Sequence, residues 1–120
     1  MLFRSINAFE GEFIKNFVGQ SGFQIDDFVT ERKLTRINIL HADIQGHEVQ
    51  MLDQAKNALK EQMIDYIFIS THSEDLHALV IKKLIESHYL IEVSSNFESH
   101  TTSCDGFVMA RSSKSPKIFK

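Results

Sequence analysis

The sequence is poor in the residues that staple, break or bend a chain. It has one cysteine, one proline, five glycines and no tryptophan in 120 residues. The lone Cys104 excludes an intrachain disulfide and fits a reducing compartment. No apolar run approaches the roughly 20 residues that span a bilayer. The apolar stretch within MLFRSINAFEGEF is too short for a secretory leader. No membrane partner is therefore expected, and the cytoplasm is the expected setting. Basic charge is not in excess: 13 Lys and Arg face 16 Asp and Glu, for a net charge of -3. No nucleic-acid partner is expected either. Internal repeats and low-complexity segments are missing. What is present is ordinary for a folded domain. Hydrophobic residues make up 42% and charged residues 24%, enough for a modest core and too apolar for disorder.

The pattern of apolar residues organises the middle of the chain. Arg36 to Ala42 is a β-branched apolar run that ends at Asp43. From His47 to Lys60, the residues Val49, Leu52, Ala55 and Leu59 recur at three- and four-residue steps, which predicts one helix. Ile64 to Ser70 predicts a second strand. Ser73 is placed to cap a second helix, with Glu74 and Asp75 in its first turn, where the positive end of the dipole favours acids. That helix is expected to bury Leu76, Val80 and Leu84, with Leu79 beside them. Tyr89 to Val93 and Asp105 to Ala110 predict two more strands, separated by a polar loop from Ser94 to Ser103. Upstream, Ile25 to Leu34 predicts a short helix with Phe28 and Val29 inward, and Glu12 to Val18 a strand.

Two strands each followed by an amphipathic helix imply βαβ units, a parallel sheet and an α/β class. Strands this apolar are expected to be covered on both faces. The last two strands lack a helix-length connection and are expected to be antiparallel. The organisation expected is an N-terminal segment at 1–24, an α/β unit at 25–111 and a frayed, basic, Ser-rich tail at 112–120.

The run INILHADIQGHEVQMLDQAKNAL resembles the signature of FkbM-type methyltransferases. It has an apolar strand, then Asp43, Gly46 and Glu48 at the family's spacing, and an apolar helix. IDDF (Ile25 to Phe28), IDYIFISTHSEDLH and CDGFVMAR extend the resemblance from about Ile25 to Arg111. It implies a Rossmann-like class I methyltransferase fold, with sheet order 3-2-1-4-5-7-6. Here that would be a partial fold in order 4-5-7-6: parallel strands four and five, then an antiparallel hairpin. It also implies S-adenosylmethionine as cofactor and a small-molecule hydroxyl acceptor, methylated on oxygen, on a sugar or secondary metabolite. One departure is large. Such enzymes carry a glycine-rich turn upstream that holds the cofactor. Here Gly11, Gly19 and Gly22 are scattered, and only AFEG (Ala8 to Gly11) echoes the acidic strand-two motif. No cofactor-binding residue can be named, and the chain reads as a fragment. A second departure is His88, where the family has Gly before Tyr, a position that often needs a left-handed backbone.

Ligands of open α/β sheets bind beyond the carboxyl ends of the strands. Asp43 follows the first strand, and Thr71, His72 and Ser73 follow the second. Asp43 is the first catalytic candidate, orienting the acceptor or the cofactor's charged end; its alternative is to bond the next helix's N–H groups. His72 is the second, as a base of near-neutral pKa; its alternative is to position Ser73. Glu48, Ser73 and Asp105 are substrate or rim candidates, although Glu48 also suits the helix dipole and Asp105 a loop cap. No metal is expected: His41, Asp43, His47 and Glu48 match no strong zinc spacing. Cys104 carries no nucleophile signature. Three functions compete. The chain could be the catalytic rim of a methyltransferase, a non-catalytic remnant acting as a binding module, or an unrelated α/β unit. In a fragment, the strand at Ile37 would become an apolar edge. Self-association through it, or coverage by the N-terminal segment, is then expected.

Overall fold

The structure, a computed structural model, describes residues 11–19, 21–95 and 105–119. The AFEG segment, Cys104 and most of the 94–103 loop lie outside them. One four-stranded sheet carries the fold. Its strands are β1 (Ile37–Ala42), β2 (Ile64–Thr71), β3 (Leu90–Ser95) and β4 (Gly106–Arg111), in the order β1-β2-β4-β3. β1 and β2 run parallel, with Ile37 beside Ile64 and Ala42 beside Ile69. β4 is antiparallel to β2, with Thr71 beside Gly106, and to β3, with Leu90 beside Arg111. Among the described residues four helices accompany the sheet: α1 (Ile25–Glu31), α2 (Glu48–Asp53), α3 (Lys56–Lys60) and α4 (Glu74–Glu86). None of them is long and apolar enough to cross a membrane.

The core joins Ile64, Ile67 and Ile69 of β2 to Val108 and Ala110 of β4 and to Leu52, Leu59, Val80 and Leu84 of the helices. Among the described residues coverage is one-sided, in place of the expected two buried faces. Alternate strand residues point to opposite faces. On the second face Tyr66, Phe68 and Phe107 are only half-buried, and the two phenylalanine rings lean together with centroids 6.4 Å apart. β1 is the edge of the sheet, and Ile39 on it is 61% exposed.

The single helix predicted over 47–60 is broken in two at Gln54 and Ala55. A carboxylate from outside holds the break. Asp26 of α1 accepts from Asn57 N (2.8 Å) and Ala58 N (2.9 Å), the first-turn donors of α3. Its own N–H bonds the Gln54 carbonyl at 3.0 Å. Donors that a continuous helix would satisfy internally are satisfied across the fold instead.

Glycine scarcity shows at the helix ends. α1, α3 and α4 each close with a residue in the left-handed region: Lys33, Gln62 and His88, with φ of 51°, 55° and 63°. After α4, Tyr89 N bonds Leu84 O and His88 N bonds Ile85 O, both at 2.9 Å. This is the Schellman pattern, usually served by glycine. His88 thus has the backbone expected from its departure from the family.

Other expectations are corrected. Glu12 to Val18 is not a strand: only Val18 forms a bridge, to Phe23. In α4 the buried side chains are His77, Val80 and Leu84, while Leu79 is 43% exposed. The tail expected at 112–120 is not frayed where it leaves β4. Ser112 and Ser115 are buried, Ser112 N bonds Asp65 O at 2.9 Å, and Tyr66 donates to Pro116 O at 2.8 Å. Backbone polar groups that continue the sheet edge find partners, and the serines fit because they are small.

Candidate functional site

Strand direction assembles the site. β1 and β2 are parallel, so their carboxyl ends share one edge, and antiparallel β4 begins at that edge. Asp43 follows β1, His72 follows β2, and Asp105 precedes β4. These three meet. His72 Nε2 lies 3.0 Å from Asp43 Oδ1 and 3.6 Å from Asp105 Oδ2. The other ring nitrogen, Nδ1, lies 2.5 Å from Glu48 Oε1. Glu48, in the first turn of α2, is wholly buried; Oε1 also accepts from Gly46 N at 3.1 Å, and Oε2 has no hydrogen-bond partner among the described residues. The β1–α2 turn reaches back through Gln45 and Gly46, both at positive φ. Glycine suits the second of these, where φ is 98°.

Burial lowers the basicity of His72, but the Glu48 hydrogen bond and the charges of Glu48, Asp105 and Asp43 outweigh it and raise its pKa. Its side chain is 13% exposed. Both ring nitrogens face carboxylates, which favours the charged form of the ring. Asp43 is the open member, with its side chain 48% exposed. Ser73 stands apart, because its Oγ accepts from Leu76 N at 3.1 Å and caps α4.

Two participants were not legible from spacing. Gln45 places its amide 3.2 Å from His72 Nε2. His77 lies beneath the rim, with Nδ1 2.8 Å from Thr71 Oγ1 and Nε2 2.9 Å from Ser94 Oγ. Burial lowers its pKa, so it sits as a neutral imidazole. Gly106 closes against this pair. A Cβ there would stand 2.4 Å from Thr71 Oγ1, so any side chain would push the rim apart. The helical period of α4 was the available signal for His77, since it lies three residues before Val80.

The metal set weighed from spacing does not assemble. His41 is exposed, and His47 Nδ1 meets Gln50 Oε1 at 3.2 Å. The group that does come together is Asp43, His72 and Asp105, with donor atoms all within 4.8 Å of one another. Beside the rim, Phe17, Val18, Gly22, Ile44, Gln45 and His47 help line a cavity of about 890 Å³.

Comparison with curated proteins and with solved structures gives no match. The family description "Methyltransferase FkbM domain" matches residues 5–96. The matched span includes Asp43, Gly46, Glu48, His72 and Ser73. It reaches further back than the resemblance read from the sequence, and it stops before Asp105 and β4. With more than half of its length matched, the chain belongs to the FkbM methyltransferase domain family.

Proposed function

We propose that this chain supplies the acceptor side of an S-adenosylmethionine-dependent O-methyltransferase acting on a hydroxyl of a sugar or secondary metabolite. One observation carries the reading. A half-exposed carboxylate, Asp43, is held at the rim by the His72 imidazole, which is itself held by a buried carboxylate, in a chain of a methyltransferase family. The sheet order β1-β2-β4-β3 supports reading these strands as four, five, seven and six of a class I sheet. A cytoplasmic setting suits the single cysteine.

The described residues fit only part of the cofactor. The rim offers carboxylates, which suit a hydroxyl or a positive charge. No glycine-rich turn among them approaches it to cradle the rest, so no step is routed through the cofactor. What the chain's own residues do follows from geometry. Asp43 accepts a hydrogen bond from the acceptor hydroxyl and aligns its oxygen. His72 positions Asp43. Fixing the approach of two reactants is the main service that a transfer of this kind needs. The adjoining cavity gives the acceptor's apolar body a place.

The test is transfer of a labelled methyl group from S-adenosylmethionine to a panel of glycosides. Asp43→Asn should reduce turnover about 10- to 100-fold, with little change in KM. Turnover unchanged in that variant would refute the reading. A second reading, a non-catalytic binding module, is favoured by the exposed Ile39 on the edge of β1. It gains if no glycoside is methylated and the chain binds itself.

A further inference from the structure

We infer that Asp43, His72 and Asp105 form a site for one divalent transition-metal cation, bound by Nε2 of the imidazole and one oxygen of each aspartate. The first argument is geometric. The donor atoms lie within 4.8 Å of one another, with Nε2 at 3.0 and 3.6 Å from the two carboxylates. Neighbouring ligands of one ion with bonds of about 2.0–2.2 Å stand roughly 3.0–3.6 Å apart, which the two separations from Nε2 match. They come from three separate segments, each anchored by a strand of one sheet. Their convergence is a property of the fold and not of one flexible loop.

The second argument is the support behind the imidazole. Metal-bound histidines commonly give their other N–H to a carboxylate, which fixes the tautomer and the ring. Glu48 does this at 2.5 Å from Nδ1. With the Nδ1 proton committed there, the lone pair of Nε2 turns toward the two aspartates. Glu48 is wholly buried, its carboxylate is aimed at this ring, and its Oε2 has no hydrogen-bond partner among the described residues. A buried carboxylate left half-satisfied calls for positive charge nearby.

Charge makes the third argument. Three carboxylates surround one imidazole. A dication seated among them brings two positive charges to that cluster. Asp43 and Asp105 are the more open ligands, at 48% and 37% side-chain exposure, and provide the entry. Gln45 near Nε2 is exposed and can swing aside. One nitrogen and two oxygens favour zinc or cobalt over magnesium or calcium, which prefer all-oxygen shells.

The experiment is calorimetric titration of the whole chain with ZnCl2, CoCl2 and MgCl2. One equivalent of Zn²⁺ and of Co²⁺ should bind, with Mg²⁺ far weaker. Glu48→Gln, which leaves the three ligands in place, should weaken binding about 10- to 100-fold. Asp105→Asn and Asp43→Asn should weaken it at least as much, while His47→Gln and His88→Gln should leave it unchanged. Should a site variant fail to fold, paramagnetic broadening by Co²⁺ in the unaltered chain decides. It should centre on the Asp43, His72 and Asp105 amides. No binding, equal binding of Mg²⁺, or broadening centred on another histidine would overturn the site. The inference does not rest on methyl transfer: metal binding intact without methylation would sink only the earlier reading.

Discussion

His72→Ala, measured in the presence of a chelator, probes the reasoning most directly. The substitution removes the imidazole bonded to Glu48, whose side chain is wholly buried. Breaking one partner from a buried ion pair costs about 3–5 kcal/mol, because the remaining charge is stranded. His72 is slightly exposed, so the lower figure applies. With a urea slope of about 1.5 kcal/mol/M, a loss of about 3 kcal/mol moves the midpoint down by about 2 M. The informative step comes next. Adding Glu48→Gln to His72→Ala removes the stranded charge and should recover about 1–2 kcal/mol, since an amide is less costly to leave half-satisfied. The assay is circular dichroism through a urea series on the three variants and the parent. A loss under about 0.5 kcal/mol for His72→Ala, or a double variant weaker than the single one, would refute the buried-charge account.

Four further outcomes are expected. His88→Gly should stabilise the fold by about 0.5–1 kcal/mol, because a left-handed backbone costs a non-glycine residue about 1–2 kcal/mol and glycine returns part of that as chain entropy; calorimetric melting checks it. Asp26→Ala should lower the melting temperature by about 5 °C, the effect of losing about 1 kcal/mol of capping, and should raise hydrogen exchange at Asn57 and Ala58. In NMR titrations the His72 ring should change charge above pH 6.5 and the His77 ring below it, in line with their opposite shifts. The signs for stability follow: the His72 contribution is full below pH 6.5 and is lost as pH rises through its raised value, so His72→Gln should lose more stability at pH 6 than at pH 8. The His77 contribution runs the other way and weakens as pH falls below 6.5. Finally, the parent chain should self-associate in light scattering through the edge of β1, and Ile39→Lys should reduce this, as charge on an edge strand blocks pairing.

Local pattern was enough to find the elements that build the site. Continuous apolar runs marked β1 and β2, a 3.6-residue period marked α4, and Ser73 before two acids marked the start of α4. Asp43 and His72 could be placed on one rim because each follows a parallel strand, and that depends only on strand type and direction. The spacing of Asp43, Gly46 and Glu48 carried the family together with the IDDF, IDYIFISTHSEDLH and CDGFVMAR segments. These features were legible because they depend on neighbours a few residues apart.

Tertiary structure decided the rest. Asp26 breaks the predicted 47–60 helix from across the fold, a contact that no periodicity within 47–60 can express. Ser112 and Ser115 are buried because the Asp65 carbonyl of β2 receives Ser112 and the two hydroxyls pair, although their composition reads as a loose tail. The pKa of His72 is raised because Glu48, Asp43 and Asp105 arrive from three segments. Which charges surround a ring sets its protonation, and that depends on strand order and register. Those are long-range properties, settled only when the whole chain packs.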